Sequence, residues 1–173
     1  MLGQYGHVYS CKCAEERTLL ESFKGSSVIV HGRVIGKRLT SFRETMTTAS
    51  ATYVREKLKE DKEKLKLFLS DLVFEVRLVV IESFKGGKVG DTLTIYTTTT
   101  SGSCGIKFDL EKEYIVYTLK RCHQYFLFLK EEEEKKGAVE KENTYWVHAC
   151  TRTAGYVNSE AVELRNLGKG NRE

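Results

Sequence analysis

The pair of cysteines in Cys11-Lys12-Cys13 constrains this chain more than any other feature. Two half-cystines separated by one residue cannot bond to each other without straining the ring, so each must reach a distant partner. The remaining cysteines, Cys104, Cys122 and Cys150, all lie far downstream. A start stapled in this way to remote chain leaves little freedom for the first residues. Such crosslinks persist in an oxidising compartment. Val8 and Ser10, three and one places before Cys11, fit the small-residue pattern of a signal-peptide cut. Residues Met1–Ser10 therefore read as a remnant of a secretory signal, and the expected location is secreted or cell-surface. The mature chain is then 11–173, one domain starting on a free α-amino group. The five cysteines are an odd number, which leaves at least one unpaired in a monomer. No Cys-x-x-Cys occurs, which argues against a zinc ribbon or a thioredoxin-like motif.

A chain of 173 residues, 40% hydrophobic and 30% charged, can bury one sizeable core. No run of about 18 apolar residues occurs, so no transmembrane segment is expected. The net charge of +4 is spread among interleaved acids and bases, and no nucleic-acid surface is expected. Proline is absent, so turns rely on Gly, Asn, Asp and Ser.

Hydrophobic periodicity gives a mainly β chain. Alternation with period two runs through Val28-Val30-Gly32-Val34, with Ile29, His31 and Arg33 opposite. It recurs in Leu72-Phe74-Val76-Leu78-Val80, Leu93-Ile95-Thr97, Tyr114-Val116-Thr118 and Tyr125-Leu127-Leu129, and ends in a strand from Tyr145 to Cys150. These are expected to be half-buried antiparallel strands. Lys85-Gly86-Gly87-Lys88, Gly90-Asp91 and Ser101-Gly102-Ser103 supply the turns. A short helix is expected over Ala14–Phe23, with Leu19, Leu20 and Phe23 on one face and a glycine cap at Gly25. A second is expected over Ser159–Leu167, ended by Gly168. Thr40–Leu69 reads as an insertion between the first two strands; its second half, Val54–Leu69, reads as a helix or helical protrusion with Val54, Leu58, Leu65 and Phe68 on roughly one face. Glu131–Lys136 reads as a solvated loop. Five or six short strands with flanking helices, and no βαβ rhythm, favour a Greek-key barrel of the oligonucleotide/oligosaccharide-binding (OB) type; a sandwich is the alternative.

Read in order, Cys11-Lys12-Cys13, Ser27-Val28-Ile29-Val30-His31-Gly32-Arg33-Val34, Phe74-Glu75-Val76, Ser83-Phe84-Lys85-Gly86, Ser103-Cys104-Gly105, Tyr114-Ile115-Val116-Tyr117 and Cys150 resemble the netrin-like module. The chain is most similar to the inhibitory domain of the tissue inhibitors of metalloproteinases. The resemblance implies disulfides Cys11–Cys104 and Cys13–Cys150, with Cys122 single. It also implies that the protein inhibits zinc metalloproteinases. Cys11 would chelate the target's zinc through its neutral amine and carbonyl oxygen, displacing the catalytic water. An α-amino pKa near 8 makes the neutral amine cheap. Lys12 would enter the specificity pocket, with Cys13 and Ala14 as the next contacts. Ser101, Gly102, Ser103 and Cys104 would form a second ridge.

The chain departs from that family at several points. Lys12 stands where a small Ser or Thr is usual, which implies poor inhibition of the usual targets or a different target. Glu15-Glu16 replaces the usual proline, and no cysteine in Ala14–Phe23 matches the family's third disulfide. A non-inhibitory extracellular interaction module is the second reading, with a zinc metalloproteinase or another extracellular protein as partner. No catalytic constellation stands out, so the protein is not expected to be an enzyme. No cofactor or metal site of its own is expected, and the chain is expected to be monomeric. His31 and His148 are expected in packing or surface roles, and Trp146 with Tyr125-Phe126-Phe128 in the core.

Overall fold

The computed structural model describes residues 13, 17–99, 104–120, 128, 141 and 143–170. Their elements, in chain order, are α1 (Leu19–Gly25), β1 (Ile29–Ser41), a 3₁₀ turn (Phe42–Thr45), α2 (Thr48–Lys57), α3 (Lys62–Ser70), β2 (Leu72–Lys85), β3 (Thr92–Thr98), β4 (Glu113–Tyr117), β5 (Thr144–Trp146), β6 (Ala154–Gly155) and α4 (Asn158–Gly170). The expected strand at Tyr125–Leu129, the loop at Glu131–Lys136 and the residues Met1–Ser10 lie outside the described residues.

The fold is mainly β: one six-stranded mixed sheet in the order β5-β3-β2-β1-β4-β6, with four helices. β1 is the hub. It pairs antiparallel with β2 over its whole length and with β4 over Ile29–Arg33. Three register irregularities along β1, at Ile29/Val30, His31/Gly32 and Val34/Gly36, let it bend between these partners. β5 pairs parallel with β3, where antiparallel strands were expected. The side-chain period is two in either direction, so alternation could not have told them apart. The strand expected over Tyr145–Cys150 is short, ending at Trp146. The hydrogen-bonded ladders do not close into a barrel. Among the described residues the β4 and β5 segments meet at a single bridge, where the N–H groups of Leu119 and Trp146 each donate to the other's carbonyl at 2.8 Å.

The sheet curls around one core of Val28, Val30, Val34, Val76, Leu78, Val80, Leu93, Ile95, Phe108, Tyr114, Val116 and Val147. Gly32 lies within it because nothing larger fits. A Cβ there would stand 2.5 Å from Leu78 Cδ2 and 2.8 Å from the Val79 carbonyl oxygen. Gly32→Ala is expected to cost about 1–3 kcal/mol by overpacking. Urea unfolding measures it, and an unchanged or raised midpoint contradicts it.

On the outer face, α1 and α4 cover Ile29, Phe84, Ile115 and Tyr117 with Phe23, Ala161 and Leu164. α1 starts on a capping box. Thr18 Oγ1 accepts from the Glu21 N–H at 3.2 Å, and Glu21 Oε2 accepts from the Thr18 N–H at 2.8 Å. Leu20 faces solvent at 45% exposure, off the face it was expected to share with Leu19 and Phe23. The expected glycine cap is also replaced. Gly25 is the last helical residue, and Lys85 Nζ donates to the carbonyls of Phe23, Lys24 and Ser26 at 2.8, 3.1 and 2.6 Å. A remote lysine thus satisfies the orphan carbonyls that a left-handed glycine would otherwise help to close. α4 runs through Gly168 to Gly170 instead of stopping. Gly168 is there for closeness, since a Cβ would meet the Phe84 carbonyl oxygen at 3.0 Å.

Where a helix or helical protrusion is expected over Val54–Leu69, the insertion forms two helices, α2 and α3, packed inward. Thr47 caps α2, and Asp61 breaks the run by capping α3, its carboxylate accepting from the Lys64 N–H at 3.0 Å. The apolar face expected for it packs inward. Val54, Leu58 and Phe68, with Leu65 beside them, join Phe42, Met46, Val73, Tyr96, Phe128 and Trp146 in a second core. Leu72, expected inside, is 46% exposed, while its neighbour Val73 is fully buried in that core.

Candidate functional site

The segment after β5 gathers the described cysteines at one end of the sheet. Val147 is held by its N–H donating to the Tyr96 carbonyl at 3.0 Å. His148 then organises a tight turn. Its Nδ1 accepts from the Cys150 N–H at 3.1 Å, and its carbonyl accepts from the Thr151 N–H and Oγ1, each at 2.8 Å. The turn is tied to β4 by Thr153, whose Oγ1 accepts from the Tyr117 N–H at 2.9 Å.

Cys150, presented by this turn, is bonded to Cys13, with Cα atoms 5.4 Å apart and 137 residues between them in sequence. This is the pairing that the resemblance implies. Cys104 is also disulfide-bonded, its partner lying outside the described residues. Its backbone is left-handed, φ 69°, and its carbonyl accepts from the Ala149 N–H at 2.8 Å. Two residues on, the Ile106 N–H donates to Thr97 Oγ1 at 2.9 Å, fixing this segment to the end of β3. Cys104 and Cys13 are therefore both anchored to residues 149–150. Cys13, Arg17, Ser22, Ala149, Cys150, Thr151 and Arg152 line a cleft of about 380 Å³ beside the bridge.

The other residues expected at this site, Cys11, Lys12, Ala14, Ser101, Gly102 and Ser103, lie outside the described residues, as does Cys122. Among the described residues no group of three or more His, Cys, Asp or Glu side chains is placed to hold a metal ion. No described helix is long and apolar enough to cross a membrane.

Sequence reading passed over a second polar cluster, under α4. His31, buried on β1, meets Glu113 of β4, Nε2 to Oε2 at 2.8 Å. Its ring stacks on Tyr156 at 4.0 Å. Arg33 holds the other oxygen of Glu113 at 2.8 Å, and Arg165 of α4 makes a two-pronged contact with Glu82 at 2.6 and 2.7 Å. The only advance signal was that His31 and Arg33 share a strand face; nothing local marked Glu113, 80 residues away from Arg33, as their partner. The Arg33 hydrogen bond, then that of His31, holds the Glu113 carboxyl below the usual carboxylate range, and the Arg165 hydrogen bond does the same for Glu82. Groups with depressed pKa values contribute stability that is complete above about pH 4.5 and is lost as pH falls through their folded-state values. Asp71, raised by burial, acts in the opposite sense. Glu113→Gln and Glu82→Gln are therefore expected to flatten the fall in melting temperature between about pH 5 and pH 3. An acid limb as steep as the parent's in both variants refutes this assignment.

Tyr96, buried in the second core, is pushed up to about 12, first by desolvation and then by the Glu75 charge, so it stays a neutral phenol. Burial, then the Glu160 hydrogen bond, likewise raises Tyr117. Both are structural. The chemistry available at the cysteine-rich end is that of a rigid, crosslinked contact surface. Comparison with protein-family models and with curated proteins returns no match for this chain.

Proposed function

We propose that this protein is a secreted, netrin-like inhibitor of zinc metalloproteinases, and that its curled sheet is a partly open barrel of the OB type, its two ends meeting at the Leu119–Trp146 bridge. The order β1-β2-β3, then β5 parallel to β3, then β4 back on β1, supports the barrel reading. The observation that carries the function is the meeting of three chain segments at one edge. Cys13 is bonded to Cys150, and the Cys104 carbonyl is held by Ala149 next door. That Cys13 and Cys104 are both held by residues 149–150 supports the reading of a two-part inhibitory ridge. Crosslinking fixes the ridge before docking, so little entropy is lost on binding. In this reading Cys11 pairs with Cys104 and carries the amine and carbonyl that chelate the target's zinc. Lys12 enters the specificity pocket, Ala14 extends the first strip, and Ser101, Gly102 and Ser103 form the second. The protein acts by contact, as a monomer, without cofactor or nucleic acid.

The chelate requires an α-amino group on Cys11 itself. A chain beginning at Cys11 is expected to inhibit members of a zinc-protease panel, while one beginning at Met1 is inert. Lys12 biases the panel toward enzymes whose pocket has an acidic floor. Equal inhibition by both chains, or by neither, refutes the amine mechanism. If neither inhibits yet extracellular partners still bind, the protein is the non-inhibitory interaction module instead.

A further inference from the structure

The cleft beside the Cys13–Cys150 bridge combines features that a merely structural disulfide does not need. The bond lines an open recess of about 380 Å³, large enough for a small organic molecule. Cys13 is exposed and Cys150 half-buried, so Cys13 is the sulfur more open to attack. Among the described residues, the recess walls include two arginines, Arg17 and Arg152, and no acidic residue. Arg152 Nε donates to Glu160 Oε1 at 3.2 Å, and its guanidinium carries further N–H donors.

We propose that this cleft is a thiol–disulfide exchange site for small thiols that also carry an anionic group, a carboxylate or a sulfonate. The arginines hold the anionic group. The thiolate attacks Cys13 Sγ, forming a mixed disulfide and breaking the bond to Cys150. Cys150 departs as a thiolate into the recess that Arg152 also lines. A second thiolate attacks the mixed disulfide and releases Cys13 as a thiolate with the oxidised small disulfide. The two electrons come from the two small thiols, and the protein thiolates take protons from water. Opening the bond removes one of the two ties on the segment bearing the proposed inhibitory residues. The exchange concerns the bridge alone and does not depend on what Cys11 contacts.

The test uses the oxidised, intact protein and two probes at equal thiolate concentration, 2-mercaptoethanesulfonate and neutral 2-mercaptoethanol. Differential alkylation with mass spectrometry follows the Cys13–Cys150 bridge and, as internal control, the bridge of Cys104. At low ionic strength the sulfonate thiol is expected to open Cys13–Cys150 about tenfold faster than the neutral one. The preference should fade in about 0.5 M salt, where screening is strong. It should also fade in an Arg17→Gln/Arg152→Gln double variant, and be absent at the bridge of Cys104. Equal rates in the parent protein overturn the proposal. So does a preference that survives salt, persists in the double variant, or is shared by the Cys104 bridge. The salt arm needs no substitution, so the result does not hang on how the variant folds.

Discussion

Phe42→Ala is expected to cost about 3–5 kcal/mol of stability, the most of any single substitution considered for this protein. Phe42 is fully buried. Its ring contacts Phe68 edge-on at 6.4 Å, Phe128 at 5.5 Å and Trp146 at 5.9 Å. These partners come from α3, from the stretch before β5 and from β5 itself, so one truncation loosens three parts of the chain. The loss combines transfer of the ring to water, forfeited aromatic contacts and an unfilled cavity. Leu69→Ala, at a side chain 42% exposed on α3, is expected to cost less than about 1 kcal/mol. Equilibrium urea unfolding of both variants separates an integrated insertion from a decorative one. A Phe42→Ala protein within 1 kcal/mol of its parent shows the second core to be dispensable.

Removing the Cys13–Cys150 bridge as the double variant C13S/C150S is expected to cost about 2–5 kcal/mol, because the crosslink restricts the unfolded chain over 137 residues. Changing both residues avoids stranding a reactive thiol. For a domain of this size the loss corresponds to a melting temperature lower by roughly 10 °C. Beyond the global effect, amide exchange is expected to accelerate locally in α1 and at Thr151–Thr153, which the bridge ties together. On the inhibitory reading, the same variant started at Cys11 also loses affinity for its protease, because the blade must then be ordered on docking. A melting temperature within about 2 °C of the parent's is incompatible with the expected loss.

Much of this architecture is visible along the chain. Alternation at Val28–Val34, Val76–Val80, Leu93–Thr97 and Tyr114–Thr118 marks four strands, because sheet pleating reports itself every second residue. The apolar face of Val54, Leu58, Leu65 and Phe68 is equally readable, since helical spacing is local. Among the described site residues, Cys13, Cys104 and Cys150 stand out by type, and the resemblance implies the Cys13–Cys150 pairing.

Local pattern could not supply partners. Nothing near Val54 or Phe68 says that their face meets Phe42 and Trp146, so along the chain a packed helix and a helical protrusion look alike. Nothing near Gly25 indicates that Lys85, some 60 residues on, caps α1. The parallel direction of β5, the His31–Glu113 contact and the arginines flanking the disulfide share that character. The amino-acid sequence by itself determined which stretches are strand or helix and which face of each is apolar, because those properties depend on neighbours within a few residues. The tertiary structure decided what each face buries, which carbonyl meets which lysine and where Cys13 lies beside Cys104, because those contacts join residues whose proximity exists only after the chain has folded.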